Sequence, residues 1–406
     1  MDKLTKGEVG ELLVSNFVDK SLSKIFSFPS PKTKNNVEVA DVLIWLNRTV
    51  FLIEVKTRDN SLSTASIESW SHSKIKDASK QISNNAKRIK ANEQIFLKNE
   101  YYQAQLDCES VSQIVGLIIL VYEEENSNVN PSKYSPDIYS NEIPIHVISW
   151  KDLEVMIEEI KTVPDLNYYL QDRFHYLKIS DIPLDQELNV LSYYKTKENN
   201  FPTFTTDFSG SSFYQNYQDI MKEKIKIRNI HNENSVWIEK IEELFLSQRK
   251  LMVGIPLGLL FAWELGVLSE RERAYYGEKI SEVQQWFING NTERYFSYQS
   301  QNTGNWLLFH FTQLDEKRGY KSLEQLTKQK AIKEIELNSF EYGIYSIGFR
   351  VSDVHPYPII GSNGAIVMSM DAVEGKYSSK DIEEAYEKHG KKTSVPIKIE
   401  EFPTKS

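Results

Sequence analysis

VEVADVLIWLNRTVFLIEVK, residues 37–56, decides the fold of the N-terminal part of this chain. Residues 37–46 and 49–56 are apolar runs rich in Val, Ile, Phe and Trp, and only Asn47 and Arg48 separate them. Two strand-like runs two residues apart predict a β-hairpin. With Asn47-Arg48 as its turn, residues whose numbers sum to 95 face each other, so Asp41 stands opposite Glu54 and Val39 opposite Lys56. Side chains alternate between the faces of a strand. Asp41, Glu54 and Lys56 therefore share a face with Leu43, Trp45, Val50 and Leu52, while Val42, Ile44, Phe51, Ile53 and Val55 form the other. Both faces are apolar, which predicts a covered sheet with the acidic pair at its edge.

Facing residues in such a pair have Cβ atoms ~4.5–5.5 Å apart, where like charges oppose pairing. Unpaired charge at a covered edge is costly as well. A salt bridge from Lys56 to one carboxylate would relieve part of that cost. A divalent cation relieves more. Mg²⁺ takes hard oxygen ligands and is commonly held by one or two carboxylates together with a substrate phosphate. A cation so held polarises a phosphodiester and acidifies water, and an adjacent lysine stabilises charge or positions that water.

The flanking sequence supplies the remaining elements. Residues 2–20 read as a helix on the spacing of Val9, Leu13 and Phe17, widened by Leu12. A loop over 28–36 precedes the hairpin, and the serine-rich stretch 59–73 reads as another. Residues 74–97 resume a helical period through Ile75, Ala78, Ile82, Ala86 and Ile89. Residues 114–122 and 143–149 read as strands, joined by an Asn/Ser/Pro-rich loop over 123–142. Ser149 and Asp152 have the spacing of a helix cap, and that helix stops before Pro164. The order helix, hairpin, helix, strand, strand, helix predicts an α/β sandwich.

The run Asp41-x12-Glu54-Val55-Lys56, preceded by a helix bearing Gly7-x3-Glu11, resembles the PD-(D/E)xK phosphodiesterase superfamily. Within it the likeness is to Holliday-junction resolvases and Mrr-like restriction enzymes. The resemblance spans about residues 3–160. It implies a restriction-endonuclease-like αβββαβ core with a mixed sheet and Mg²⁺-dependent nuclease activity, with Mn²⁺ as a substitute. Asp41, Glu54 and the Val55 carbonyl would be metal ligands, Lys56 the catalytic lysine, and Glu11 the helix-borne acid completing the site. Glu8 competes with Glu11, one turn away on a similar face. Ala40 stands where many members carry proline. Gln81 matches a glutamine that faces the active site in many members.

The helix bearing Gln81 has a polar face of Lys74, Asp77, Gln81, Asn84 or Asn85, and Arg88. Residues 74–90 carry six basic side chains, Lys74, Lys76, Lys80, Lys87, Arg88 and Lys90, against one acid. Beside a metal-nuclease site these basic residues read as phosphate contacts, extended by Lys32 and Lys34.

The rest of the chain is of a different kind. Net charge is −9, yet residues 1–100 carry 16 Lys+Arg against 12 Asp+Glu, and the remaining 306 carry 32 against 45. A locally basic module thus precedes an acidic body. We divide the chain into a nuclease domain over 1–164, a C-terminal specificity or partner-sensing region over 165–374, mostly helical α+β, and a charged tail over 375–406. Residues 165–222 are Tyr/Phe-rich without a clear period, 233–290 mostly helical, and 339–373 strand-like. The single cysteine, Cys108, excludes an internal disulfide and a cysteine-based zinc site. The seven histidines show no metal-ligand spacing, and no phosphate-cradling glycine motif occurs. No secretory signal is visible, and residues 251–268 contain Pro256, three glycines and Glu264, which favours a buried helix pair over a membrane span. The expectation is a cytoplasmic DNA endonuclease, an effector in restriction or anti-phage defence, acting as a homodimer and meeting a partner protein through its C-terminal region. A repair resolvase, an RNase or a catalytically inactive nucleic-acid-binding module shares the same motif.

Overall fold

A computed structural model describes residues 5–22, 24–58, 66–122, 143–177, 187–197, 199–201, 213–247, 257–289, 293–313, 318–319, 321–323, 325–330, 344–350 and 365–370. The chain forms two compact units, Met1–Ile225 and Lys226–Ser406. The expected loop over 123–142 and the tail over 375–406 lie outside the described residues.

The first unit is built on a five-stranded mixed sheet. Its strands are β1 (Ser27–Pro29), β3 (Val42–Leu46), β4 (Thr49–Thr57), β7 (Gln113–Val121) and β8 (Ile145–Ser149), in the order β1-β3-β4-β7-β8. The first three run antiparallel, and β4, β7 and β8 are parallel. A second, three-stranded sheet joins β2 (Lys32–Thr33), β5 (Ile95–Lys98) and β6 (Gln103–Gln105). Helix α1 (Lys6–Ser21) packs on β4 and also touches α3 (Trp150–Ile160), which lies on β7 and β8. Helix α2 (Ile67–Lys90) also lies on β4 and β7. A Cβ on Gly116 would fall 2.9 Å from Ile82 Cγ2 of α2. Gly116 pairs with Leu52, so α2 covers the face that carries Leu52 and, by alternation, Glu54 and Lys56.

Several boundaries differ from the sequence reading, each for a local reason. Helix α2 starts at Ile67 because the Ser66 hydroxyl accepts from the Ser69 N–H and opens the helix inside the expected 59–73 loop. It ends at Lys90, where Asn92 takes a left-handed φ of 55°, and residues 95–98 form a strand instead of prolonging the helix to 97. Within the expected 28–36 loop the short strands β1 and β2 form.

Helix α1 presents the opposite stripe to the one expected. Val14 and Val18 are buried, while Val9, Leu12 and Leu13 are 50%, 51% and 43% exposed. Gly10 explains the choice. A Cβ there would lie 1.9 Å from Thr57 Oγ1, so only glycine lets α1 settle on the end of β4. The Gly10–Val14–Val18 stripe then faces inward, and Phe17 packs edge-on against Trp150 at 5.1 Å.

Ser149 caps α3 as expected, its hydroxyl accepting from the Asp152 N–H and donating to Asp152 Oδ2. Pro164 does not end the unit. It sits in the first turn of α4 (Val163–Leu177), where a missing N–H costs nothing. Beyond it, α4 and α5 (Glu187–Thr196) form within the stretch that showed no clear period. The buried Arg173 of α4 donates through Nε to both Glu187 oxygens at 3.0 Å and through Nη1 to His146 Nδ1 on β8 at 2.8 Å. This polar network fastens α4 and α5 to the sheet, so the first unit runs past residue 164 to Ile225.

Helix α6 (Phe213–Ser247) runs through the division between the units. The second unit continues with α7 (Leu257–Gly266) and α8 (Glu270–Ile288). A four-stranded sheet follows, made of β9 (Glu293–Gln299), β10 (Trp306–Thr312), β11 (Ile344–Arg350) and β12 (Ala365–Met370), in the order β12-β11-β10-β9. The pair β9 and β10 lies outside the region expected to be strand-like. Glu264 of α7 is buried and accepts from Thr303 Oγ1 at 2.9 Å and Asn305 Nδ2 at 2.8 Å. Among the described residues no helix is long and apolar enough to cross a membrane.

Candidate active site

The hairpin has the register read from sequence: Val42 pairs with Ile53 and Leu43 with Leu52. Asn47 adopts a left-handed φ of 50° in the turn, and Trp45 Nε1 donates to its carbonyl at 2.9 Å. Asp41 lies one residue before β3. Its N–H donates to the Ile53 carbonyl at 3.1 Å and its own carbonyl accepts from the Ser30 N–H at 2.9 Å. These bonds set Asp41 across from Glu54.

The side chains meet there. The Val55 N–H donates to Asp41 Oδ2 at 2.6 Å. Lys56 Nζ donates to Glu54 Oε2 at 2.8 Å and stands 3.9 Å from Asp41 Oδ2. Asp41 Oδ1 and Glu54 Oε1 have no hydrogen-bond partner among the described residues. Glu54 is 4% exposed. Burial, reinforced by the Asp41 charge, pushes its carboxyl up to about 7 against the pull of Lys56. Burial likewise holds Asp41 above the usual carboxylate range, with Lys56 and the Val55 N–H opposing. Ionising both groups carries an energetic cost that one lysine does not offset.

Glu8 and Glu11 have different environments on helix α1. Thr5 and Glu8 form a reciprocal capping box, in which Glu8 Oε2 accepts from the Thr5 N–H at 2.7 Å. Glu8 is thereby spent on the helix end. Glu11 is half-buried, and its carboxyl is raised by burial and by the charges of Asp41 and Glu38. Glu38 also raises Asp41 and Glu54. The spacing of the carboxylates in sequence gave no reason to single out Glu38. It enters because the chain turns back after β2, so that its backbone pairs with that of Lys32. Among the described residues no group of three or more His, Cys, Asp or Glu is arranged as a ready-made metal site.

Helix α2 contributes Asn85, buried, whose Nδ2 donates to the Val39 carbonyl at 2.7 Å. Asn84 is exposed, so the two asparagines left open in the sequence have different environments. Gln81 stands one turn before Asn85, exposed and without a hydrogen-bond partner among the described residues. Lys76, Lys80 and Lys87 are exposed, Lys74 and Arg88 half-buried, and Arg88 Nη1 lies 3.7 Å from Glu93 Oε1. Lys32 on β2 and Lys34 beyond it are exposed. Gly7, quoted with Glu11, is not a close-contact position, since a Cβ there would meet only Thr5 Oγ1 at 3.9 Å.

The donor set suits a hard divalent cation. Each carboxylate has one oxygen without a hydrogen-bond partner among the described residues, and both carboxyls are held above their usual range, so a cation would take the place of a proton. No protein family, curated protein or solved structure matches this chain.

Proposed function

We propose that the first unit is a metal-dependent nuclease of restriction-endonuclease-like fold that hydrolyses DNA phosphodiester bonds. The observation that carries this reading is the convergence of Asp41, Glu54 and Lys56 where the start of β3 meets the central strand β4, with one oxygen of each carboxylate left over. The mixed sheet, with α1 before the hairpin and α2 after it, supports the finer fold assignment.

Asp41, Glu54 and Glu11 would hold Mg²⁺ or Mn²⁺, with the Val55 carbonyl as the assigned backbone ligand. When bound, the ion supplies Lewis-acid polarisation of the phosphate and a more acidic water. The chain's own residues do the rest. The Val55 N–H fixes the Asp41 carboxylate in one orientation. Lys56, half-buried beside Glu54, places a positive charge where negative charge develops on the phosphate. The exposed Lys76, Lys80 and Lys87 meet the phosphate backbone, which positions substrate without reading sequence. Gln81, exposed one turn before Asn85 on α2, would orient the reacting phosphate. The second unit selects target or partner protein, in keeping with an endonuclease effector of restriction or anti-phage defence acting as a homodimer.

Purified protein incubated with supercoiled plasmid and, separately, with RNA tests the reading. Nicking or linearisation of plasmid that needs Mg²⁺ or Mn²⁺ and stops with chelator is expected. Cleavage undiminished in excess chelator, or confined to RNA, overturns it.

A further inference from the structure

We propose that the outer face of the small sheet β2-β5-β6 is a platform for a single strand of nucleic acid, with Phe96 as its stacking residue. The proposal rests on the nuclease reading above and names the form of substrate that the reading leaves open.

Strand β5 alternates strictly. Ile95 and Leu97 are buried, while Phe96 is 48% exposed and Lys98 is exposed. The register aligns Lys32 with Phe96 and Phe96 with Gln105, and the next rung aligns Lys98 with Gln103. Lys32, Gln103 and Gln105 are exposed as well. One face of three short strands therefore presents an aromatic ring between two lysines and two glutamines. Directly facing Cβ atoms in such a sheet are about 5 Å apart, so these side chains form one continuous patch.

Covering a half-exposed phenylalanine ring with a flat apolar partner is favourable. A nucleobase is flat and apolar on its face, and its phosphates are anionic, so the ring and the two lysines match both parts of one nucleotide. In a duplex the base faces are already stacked on each other. Only an unstacked base exposes a face, which makes the favoured occupant a single strand. The glutamines add donors and acceptors that tolerate any base edge.

The patch also lies on the segment that leads to the carboxylate centre. The Lys32 backbone pairs with that of Glu38, three residues before Asp41, and the Glu38 charge bears on Asp41, Glu54 and Glu11. A strand lying over Phe96 and Lys32 is led toward those residues. Glu38 is the one acid on this row and repels phosphate there, so the strand's anionic contacts fall to Lys32 and Lys98.

The test uses the full chain with chelator present, so that nothing is cut. Binding of a labelled single-stranded DNA oligonucleotide and of the matching duplex is followed by fluorescence anisotropy at several salt concentrations. Phe96→Ala should weaken single-strand binding about 5- to 150-fold and leave the duplex unaffected, while Phe96→Trp retains the wild-type affinity. Lys32→Ala and Lys98→Ala should each flatten the salt dependence by about 0.7 in log K per log salt. Unchanged melting temperatures of these exposed-site variants show that the fold is intact. Single-strand affinity of Phe96→Ala within error of wild type, or no single-strand binding by wild type, overturns the platform. The two readings separate cleanly. Plasmid cleavage by wild type with a silent Phe96→Ala leaves the nuclease standing without the platform. Phe96-dependent binding with no cleavage does the reverse.

Discussion

The side-chain amide of Asn85 donates to the backbone carbonyl of Val39 at 2.7 Å, tying helix α2 to the segment that delivers Asp41. Val39 is itself held by its N–H on the Pro31 carbonyl at 2.9 Å, and Asp41 by backbone bonds on either side. Asp41 precedes β3, so these few bonds stand in for the ladder that would otherwise hold it. Asn85→Ala leaves a buried carbonyl unpaired and should cost about 1–3 kcal/mol of stability. It should also slow cleavage more than it weakens DNA binding, whereas Asn84→Ala at the exposed neighbour should do neither. Urea unfolding and single-turnover cleavage of the two variants check this; equal stabilities would place the support of residue 39 elsewhere.

Asp41→Asn, Glu54→Gln and Lys56→Ala should each reduce cleavage by about 100-fold or more, the scale on which one preorganised electrostatic group acts. DNA affinity should change little, because phosphate contacts on exposed lysines dominate it. In the metal-free protein Glu54→Gln should raise the melting temperature at alkaline pH, since it removes one of two buried charges that a single lysine does not offset. Full cleavage by any of the three variants would remove the nuclease assignment.

The Glu54 carboxyl, pushed up to about 7 from an ordinary 4.5, links metal binding to pH. Between those values the folded metal-free protein keeps a proton that the unfolded chain has released. The stability contributed by that proton is fully present below 4.5 and is lost as pH rises through about 7. A cation competes for the same oxygens, so its apparent affinity rises as the proton leaves. Mg²⁺ binding should tighten by about tenfold per pH unit below this pKa and level off above it, releasing close to one proton. Titration calorimetry in buffers of different ionisation enthalpy measures that release, and a flat affinity across the range would exclude Glu54 as a ligand.

The buried network on α4 should be the costliest polar feature of the first unit to break. Arg173 is 1% exposed, with Glu187 as its counter-ion and His146 as acceptor. Glu187→Ala strands the guanidinium and should cost about 3–5 kcal/mol. Burial and the Arg173 charge hold His146 well below its usual pKa, so it is neutral in the fold. The stability this preserves is present above pH 6.5, the ordinary value, and is lost as pH falls and the unfolded chain takes up the proton. Chemical denaturation at neutral and acid pH resolves both effects; a wild type equally stable at both, once carboxylate titration is accounted for, would contradict the His146 part.

The hairpin and its acidic pair were legible in the residues alone. A two-residue turn and a period of two leave one register, and that register puts Asp41 opposite Glu54 wherever the hairpin is packed. The Ser149 cap was legible for the same reason, since its partners lie three residues apart. Everything that depended on a partner distant in sequence was settled by packing. The α1 stripe follows from Gly10 meeting Thr57, a contact that overrides the more hydrophobic Val9–Leu13 row. Asn85 rather than Asn84 is buried because Val39 supplies the carbonyl, and Glu11 rather than Glu8 is left over because Thr5 takes Glu8. Pro164 reads locally as a stop, yet it opens a helix whose Arg173 needs Glu187 and His146 to be buried at all. Periodicity and turn chemistry act over a few residues and are written in order along the chain. Burial and charge pairing act between residues that only the folded backbone brings within a few ångströms.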